Sequence, residues 1–481
     1  MDKTIPEYFN KERTPLKKRQ YGGEQPFIKL GPFKMRLPII HHEWQWTECL
    51  AAMFLGVACL GAGVNVTMST LGIENFHIAL TFGVLNALCY YLPALLGDPV
   101  VPGWITPALP LTLNYLAPYA IGNDRTHALI ALQMLVAVLF LIMGTTGLGR
   151  KLVNSIPVSI KSGIVIGAGI SAGMNVINAR IPIAPYTVIV CIAIAYIFLF
   201  SNAFKNLANR SRFWAVIRNQ GIVPAQLFAI IFAPIIFKEI DLPVIEWGLT
   251  PLNFGYVWKN FTIFGIGFPA AKYFIAAIPM ALTAYIIAFS DFVLAKEIVD
   301  DATARRPDEI VEFDAGRSNL VSALRNAIMS LFAPWTPMCG PLWASGLLTI
   351  TERYKRGYKT MRTYWGGVGT FRAATFLAVM IMPLVTLIKP AFGIFFGLTM
   401  AVQAYACSNI GMKMTATPNQ RGIAGVMGVV MAVKGPTIGL ITGIVLWLIV
   451  EGFAKDETES QVPECSDKVN ANPTDPDRKG C

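Results

Sequence analysis

Residues Gly97 to Leu111 read GDPVVPGWITPALPL. Pro99, Pro102, Pro107 and Pro110 interrupt an otherwise apolar stretch. Proline lacks a backbone donor and clashes with the carbonyl one turn back, so no ordinary helix runs through this segment. Val, Leu and Trp fill most of the remaining positions, a composition unlike that of a solvated loop. The stretch therefore places irregular backbone between hydrophobic helices.

The surrounding sequence says where that backbone lies. The chain has 481 residues, 54% hydrophobic and only 14% charged, whereas a soluble domain carries about a quarter charged residues. Mean hydropathy is +0.52. Apolar residues come in blocks of about twenty, the length that crosses a hydrocarbon core of roughly 30 Å. The protein is a multi-span membrane protein. The first forty residues are polar and basic and lack the pattern of a signal peptide. The net charge of +11 follows from Lys and Arg in cytoplasmic loops and calls for no nucleic-acid partner. Cys49, Cys59, Cys89, Cys191 and Cys407 lie in apolar runs as small hydrophobes, without metal-ligand spacing.

Spans are predicted at 46–68, 77–96, 105–118, 124–147, 156–178, 184–201 and 220–236. A second set follows at 270–296, 316–333, 340–352, 367–388, 390–408, 421–434 and 436–452. Counting alternate crossings puts every basic cluster on one side, from Lys3–Arg36 through Arg150-Lys151 and Lys205–Arg218 to Arg353–Arg362. The loop Glu239–Gly255, assigned to the other side, holds three acids and no Lys or Arg. The positive-inside rule then places both termini in the cytoplasm.

Seven spans and seven more imply an inverted repeat, as in secondary transporters. The broken third segment should then recur as the tenth, and it does. Residues 334–347 read PWTPMCGPLWASGL, again short, apolar and rich in Pro and Gly. Trp104 with Thr106 in the first break matches Trp343 with Ser345 in the second. Such paired breaks point to a central binding site, where extended backbone lines a cavity and helix N-termini present free amides. The predicted fold is an all-α polytopic membrane protein of about 14 transmembrane segments in two inverted seven-helix repeats. Its expected parts are a basic cytoplasmic segment 1–45, a first repeat 46–236, an extracytoplasmic connection 237–269, a second repeat 270–452 and a polar, disordered cytoplasmic tail 453–481.

This pattern resembles the xanthine/uracil permease-like superfamily, which includes nucleobase permeases and their sulfate permease and bicarbonate transporter relatives. IPVSIKSGIVIGAGISAG (156–173) is similar to the start of the family's fifth helix. TECLAAMFLG (47–56) resembles its first helix, with Glu48 and Cys49 where nucleobase permeases carry a Gln-His pair. IIAFSDFVLAKEI (286–298) resembles the eighth helix and puts Asp291 at the place of the family's acidic residue. The resemblance implies an elevator in which spans one to four and eight to eleven carry substrate past a gate of the remaining spans, commonly in a homodimer.

An acid within a span is a functional candidate by default. Asp291 follows about twenty uncharged positions and has Ser290 beside it; Glu48 stands near the start of the first span. Both are expected at the substrate and are candidates for proton coupling. The breaks add the amides and side chains of Trp104, Ile105, Thr106 and Ala108, and of Leu342, Trp343 and Ser345. Lys161 and Arg372 read as span-end residues reaching the headgroups. No P-loop, HExxH or GxSxG motif occurs. The expected function is thus a permease rather than an enzyme, without cofactor or metal. It sits in the plasma membrane (the inner membrane of a bacterium) and moves a nucleobase-like solute with H⁺ or Na⁺. The alternative on the same fold is a transporter of small inorganic or organic anions; a channel or an intramembrane enzyme stands behind both.

Overall fold

The computed structural model describes residues 19–219 and 222–452; the tail 453–481 and residues 1–18 lie outside them. The first repeat comprises α1 (Trp46–Leu71), α2 (Phe76–Leu96), α3 (Leu109–Leu116), α4 (Asn123–Thr145), α5 (Val158–Asn175), α6 (Pro185–Phe200) and α7 (Val223–Ile236). The second comprises α8 (Ala271–Thr303), α9 (Ala315–Phe332), α10 (Ala344–Tyr354), α11 (Tyr364–Val379), α12 (Met382–Met414), α13 (Pro418–Lys434) and α14 (Pro436–Val450). Among the described residues six helices are long and apolar enough to cross a membrane alone. The others are shorter or carry polar residues on faces that the bundle buries. Local chemistry sets the ends. Gly72 and Gly97 stop α1 and α2 in left-handed conformations with φ 70° and 81°, which glycine adopts without a Cβ penalty. Thr417 and Gln420 form a reciprocal capping box at α13.

One boundary differs from the sequence expectation. Spans predicted at 367–388 and 390–408 are divided instead at Met380–Ile381, where the α7–α8 connection pairs with the chain: Thr250 N donates to Met380 O at 2.9 Å and Met382 N to Gly248 O at 3.1 Å. Pro383 then sits in the first turn of α12, where its missing donor costs nothing. Pro390 falls in a 3₁₀ turn within α12.

Contacts at the two ends fix the direction of each crossing. At one end, β1 (Gly23–Glu24) runs parallel to β5 (Glu309–Ile310), next to a hairpin of β2 (Ile28–Leu30) and β3 (Phe33–Met35). Arg19 and Arg306 both engage Asp308 at 2.6 Å. Burial would raise the Asp308 carboxyl, but the hydrogen bonds and charge of Arg306, with the charge of Arg19, hold it below the usual carboxylate range. Glu309 accepts from Tyr354 Oη, Thr363 Oγ1 and Tyr364 N. The leader, the α8–α9 connection and the α10–α11 connection therefore share this end. At the other end Arg125 donates to Thr70 O at 3.1 Å, His127 contacts Gly267 O at 3.2 Å, and Tyr186 N donates to Glu239 at 3.0 Å.

Packing repeats across the halves. α1 lies on α11 as α8 lies on α4; α2 meets α11 as α9 meets α4; α1 touches α12 as α8 touches α5. α5, α12 and α13 form a second, closely packed group, with Gly163, Gly167 and Gly428 at their contacts. Between the halves run β4 (Gly103–Trp104) and β6 (Cys339–Gly340), antiparallel, with Gly103 opposite Gly340 and Trp104 opposite Cys339. From this pair α3 runs toward one end and α10 toward the other, as an inverted repeat requires.

The pair is close. A Cβ on Gly340 would lie 2.5 Å from backbone atoms of Trp104, and one on Gly103 would lie 2.6 Å from Leu342 O. Gly340→Ala should therefore destabilise the detergent-purified protein by at least ~1–3 kcal/mol, read as a lowered melting temperature. Gly255→Ala, whose Cβ meets nothing within 4 Å, is the control. Equal melting curves would contradict the close strand pair.

Candidate functional site

Three helices, α4, α9 and α11, hold the strand pair. Arg325 of α9 donates to Gly340 O at 2.7 Å and to Gly103 O at 3.2 Å, joining both strands through one guanidinium. Arg372 of α11 donates to Pro102 O. Asn326 accepts from Cys339 N at 3.0 Å and donates to Cys339 O at 2.8 Å. Gln133 of α4 donates to Asn326 at 3.3 Å and accepts from Trp335 N at 3.0 Å. Trp343 N reaches Val101 O at 2.6 Å, and Tyr364 Oη reaches Pro99 O at 2.8 Å. Irregular backbone at this depth has to be satisfied by protein groups, and these side chains do it.

Several buried polar atoms here lack a hydrogen-bond partner among the described residues. They are Arg372 Nε and Nη1, Arg325 Nε, Tyr90 Oη, Ser345 Oγ and the indole nitrogens of Trp104, Trp335 and Trp343. Nearly all of them are donors. The Arg325 and Arg372 guanidiniums lie 5.0 and 4.7 Å from the Tyr90 ring centroid, and Arg372 lies 5.3 Å from that of Trp343. Neither arginine ion-pairs with a carboxylate among the described residues. Asp98 is near enough for its charge to interact with Arg325.

The structure brings together Trp104, Ile105, Ala108, Leu342, Trp343 and Ser345, all buried; the Thr106 side chain is exposed. Two of the amides expected to be free are bonded. Ala108 N donates to Ile105 O at 3.0 Å in a 3₁₀ turn, and Trp343 N closes onto Val101 O. Ser345 N, in the first turn of α10, is left without an intrahelical acceptor. The tryptophans also pair differently from the sequence match. Trp104 meets Trp335, centroids 6.3 Å apart, while Trp343 lies against Phe371 and Arg372.

Glu48 is elsewhere. It is buried in an ion pair with Arg353 near the end of α10. Gly63, where a Cβ would touch Trp104 and Trp335, lies fifteen residues further along α1, about 22 Å at 1.5 Å per residue. Glu48 thus ties two helix ends together. Ser290 donates to Ile287 O at 2.7 Å along its own helix. Asp291 is partly exposed and makes no hydrogen bond or ion pair among the described residues; Lys296 pairs with Asp300 instead. Asp291 lies one turn beyond Ile287, which shares an apolar cluster with Ile105 and Ala108.

Arg372 is corrected most. Sequence reading sent it to the headgroups, yet it is fully buried at the middle of α11. Arg325, Tyr90, Asn326 and Gln133 were missed. The signal existed for Arg325, an ionisable residue inside a span like Asp291.

No family model and no curated protein matches the sequence. Among solved structures, the chain is similar to the transmembrane domain of the cyanobacterium bicarbonate transporter BicA at 14% identity and a TM-score of 0.45, over 85% of this chain and 97% of that one. It is similar to SLC26A9 at 15% identity and a TM-score of 0.48, over 84% of this chain and 65% of that one.

Replacing Arg325 by Met would remove the donor of two buried carbonyls, each costing ~1–3 kcal/mol when orphaned. A large loss of thermal stability is expected. Arg150→Met, which breaks an ion pair whose arginine side chain is 61% exposed, should cost at most about 1 kcal/mol. Similar melting points for the two variants would contradict the clamp.

Proposed function

We propose that the chain is a secondary transporter of a small inorganic or organic anion, bound beside the β4–β6 pair. One observation carries this reading: two buried arginines that ion-pair with no carboxylate among the described residues converge with indole and hydroxyl donors that lack partners there. A buried charge without a counter-ion is costly in a membrane. An anion would supply the missing counter-charge and accept from Arg372 Nε and Nη1, Ser345 and the indoles. The α10 N-terminus adds partial positive charge on the same side.

A nucleobase, the first expectation from sequence, is less well served. A neutral heterocycle offers N–H groups that need acceptors, and the orphaned atoms around the strand pair are nearly all donors. Glu48, expected at the substrate from the sequence, is engaged by Arg353.

Transport would move the strand-bearing group of α1–α4 and α8–α11 against α5–α7 and α12–α14. An apolar cavity of about 390 Å³ lies between α8 and the pair α5 and α14, lined by Ile160, Phe289 and Trp447, which leaves room for relative movement. Asp291, without a partner and partly exposed, remains the proposed binder of a coupling ion, and the basic end of the bundle faces the cytoplasm.

Thermal stability with a ligand panel tests the substrate class. A ligand at a hundred times its dissociation constant stabilises by about 2.7 kcal/mol. Sulfate, bicarbonate or a small carboxylate should raise the melting temperature of the wild type and leave Arg372→Gln unmoved, while uracil and xanthine move neither. A shift with nucleobases alone, or an anion shift intact in Arg372→Gln, would overturn the reading.

A further inference from the structure

Asp98 is a buried carboxylate that the transport scheme does not use. It is 1% exposed and its Oδ1 has no hydrogen-bond partner. Its position is fixed from both sides along the chain. Gly97 holds φ 81° and packs so tightly on β3 that a Cβ would lie 2.4 Å from Lys34 O. The next residue, Pro99, gives its carbonyl to Tyr364. Four residues on, the same backbone enters the arginine-held strand.

Among the described residues, charged and titratable groups face it from α9, from α11 and from behind Gly97. From α9 come Arg317 and Arg325, with Ser318 facing the carboxylate and Asp314 further off. Asp314 is engaged by Arg150, and Arg317 donates to Glu312 O at 3.1 Å. From α11 comes Tyr364. Behind Gly97, Lys34 sends its amine to Glu24 and Glu312, and Arg36 pairs with Glu24. Arg325 is therefore the one cation that acts on Asp98 and also holds both strands of the proposed anion site.

We infer that Asp98 is a proton-binding site whose occupancy is linked, through Arg325, to occupancy of the anion site. This rests on the anion reading. With the site empty, burial disfavours the Asp98 carboxylate while Ser318 and the charges of Arg317 and Arg325 favour it. A bound anion shares the field of Arg325, and a carboxylate oxygen without a donor, buried from water, then takes up a proton. The only bond formed is O–H, and the proton comes from solvent. By reciprocity a protonated Asp98 strengthens anion binding by the same factor. Anion and proton would load and leave together.

The test is anion affinity against pH for the full chain in detergent, with sulfate and acetate as probes in thermal-shift titrations between about pH 5 and pH 8. In the wild type affinity should fall as pH rises, approaching tenfold per pH unit for one linked proton. Asp98→Asn should flatten that slope, and Asp241→Asn, an exposed acid of the α7–α8 connection, should keep it. A slope that survives in Asp98→Asn, or a flat wild type, overturns the inference. Wild-type protein alone gives a second readout: adding either anion in weak buffer should draw up to one proton per site, and no uptake overturns the linkage. If neither probe binds at all while a nucleobase does, the anion reading itself falls, and the linkage falls with it.

Discussion

Backbone inside a membrane must have its hydrogen bonds met by protein, and in this chain that constraint falls on about a dozen residues. Two proline-broken segments pair as β4 and β6, but a pair of two-residue strands leaves carbonyls over. Arg325 takes Gly103 O and Gly340 O, Arg372 takes Pro102 O, and Asn326 takes both polar groups of Cys339. The placement of α9, α11 and α4 around the centre follows from what those side chains must reach. Gly103 and Gly340 face each other because no Cβ fits there.

The same solution sets the electrostatics. Carbonyls need donors, and the donors strong enough to serve several at once are guanidiniums, which bring positive charge with them. Each arginine keeps N–H groups that the carbonyls do not use. A device that satisfies backbone thus leaves a surplus of buried donors and charge, and an anion is the solute proposed to complement it. The helix N-terminus after β6 points in the same direction. Asp98, in the chain that leads to β4, is the carboxylate proposed to register whether that charge is shared.

Much of the architecture was legible from spacing alone. Proline-rich breaks at Gly97–Leu111 and 334–347, set in blocks of twenty apolar residues, foretold short α3 and α10 with extended backbone ahead of each, though not that the two extended stretches pair as strands. Loop charges foretold which connections share an end, as the Arg19–Asp308 and β1–β5 contacts bear out. The site was legible only in part. Glu48 was misread because its partner, Arg353, stands 305 positions away and nothing local announces an ion pair at that distance. Arg372 was misread because its span was set at 367–388; in a helix of Tyr364–Val379 the same residue is central. Trp104 and Trp343 matched in sequence yet lie in different surroundings, since the two breaks enter their helices differently, one through a 3₁₀ turn and one directly.

An anion held against Arg372 and Arg325 beside the strand pair would be seen directly by anomalous diffraction from crystals soaked in bromide or selenate. A peak is expected within about 4 Å of the Arg372 guanidinium, hydrogen-bond or ion-pair range, with loss of that peak in Arg372→Gln. Peaks confined to exposed Lys and Arg, with the centre empty, would contradict it.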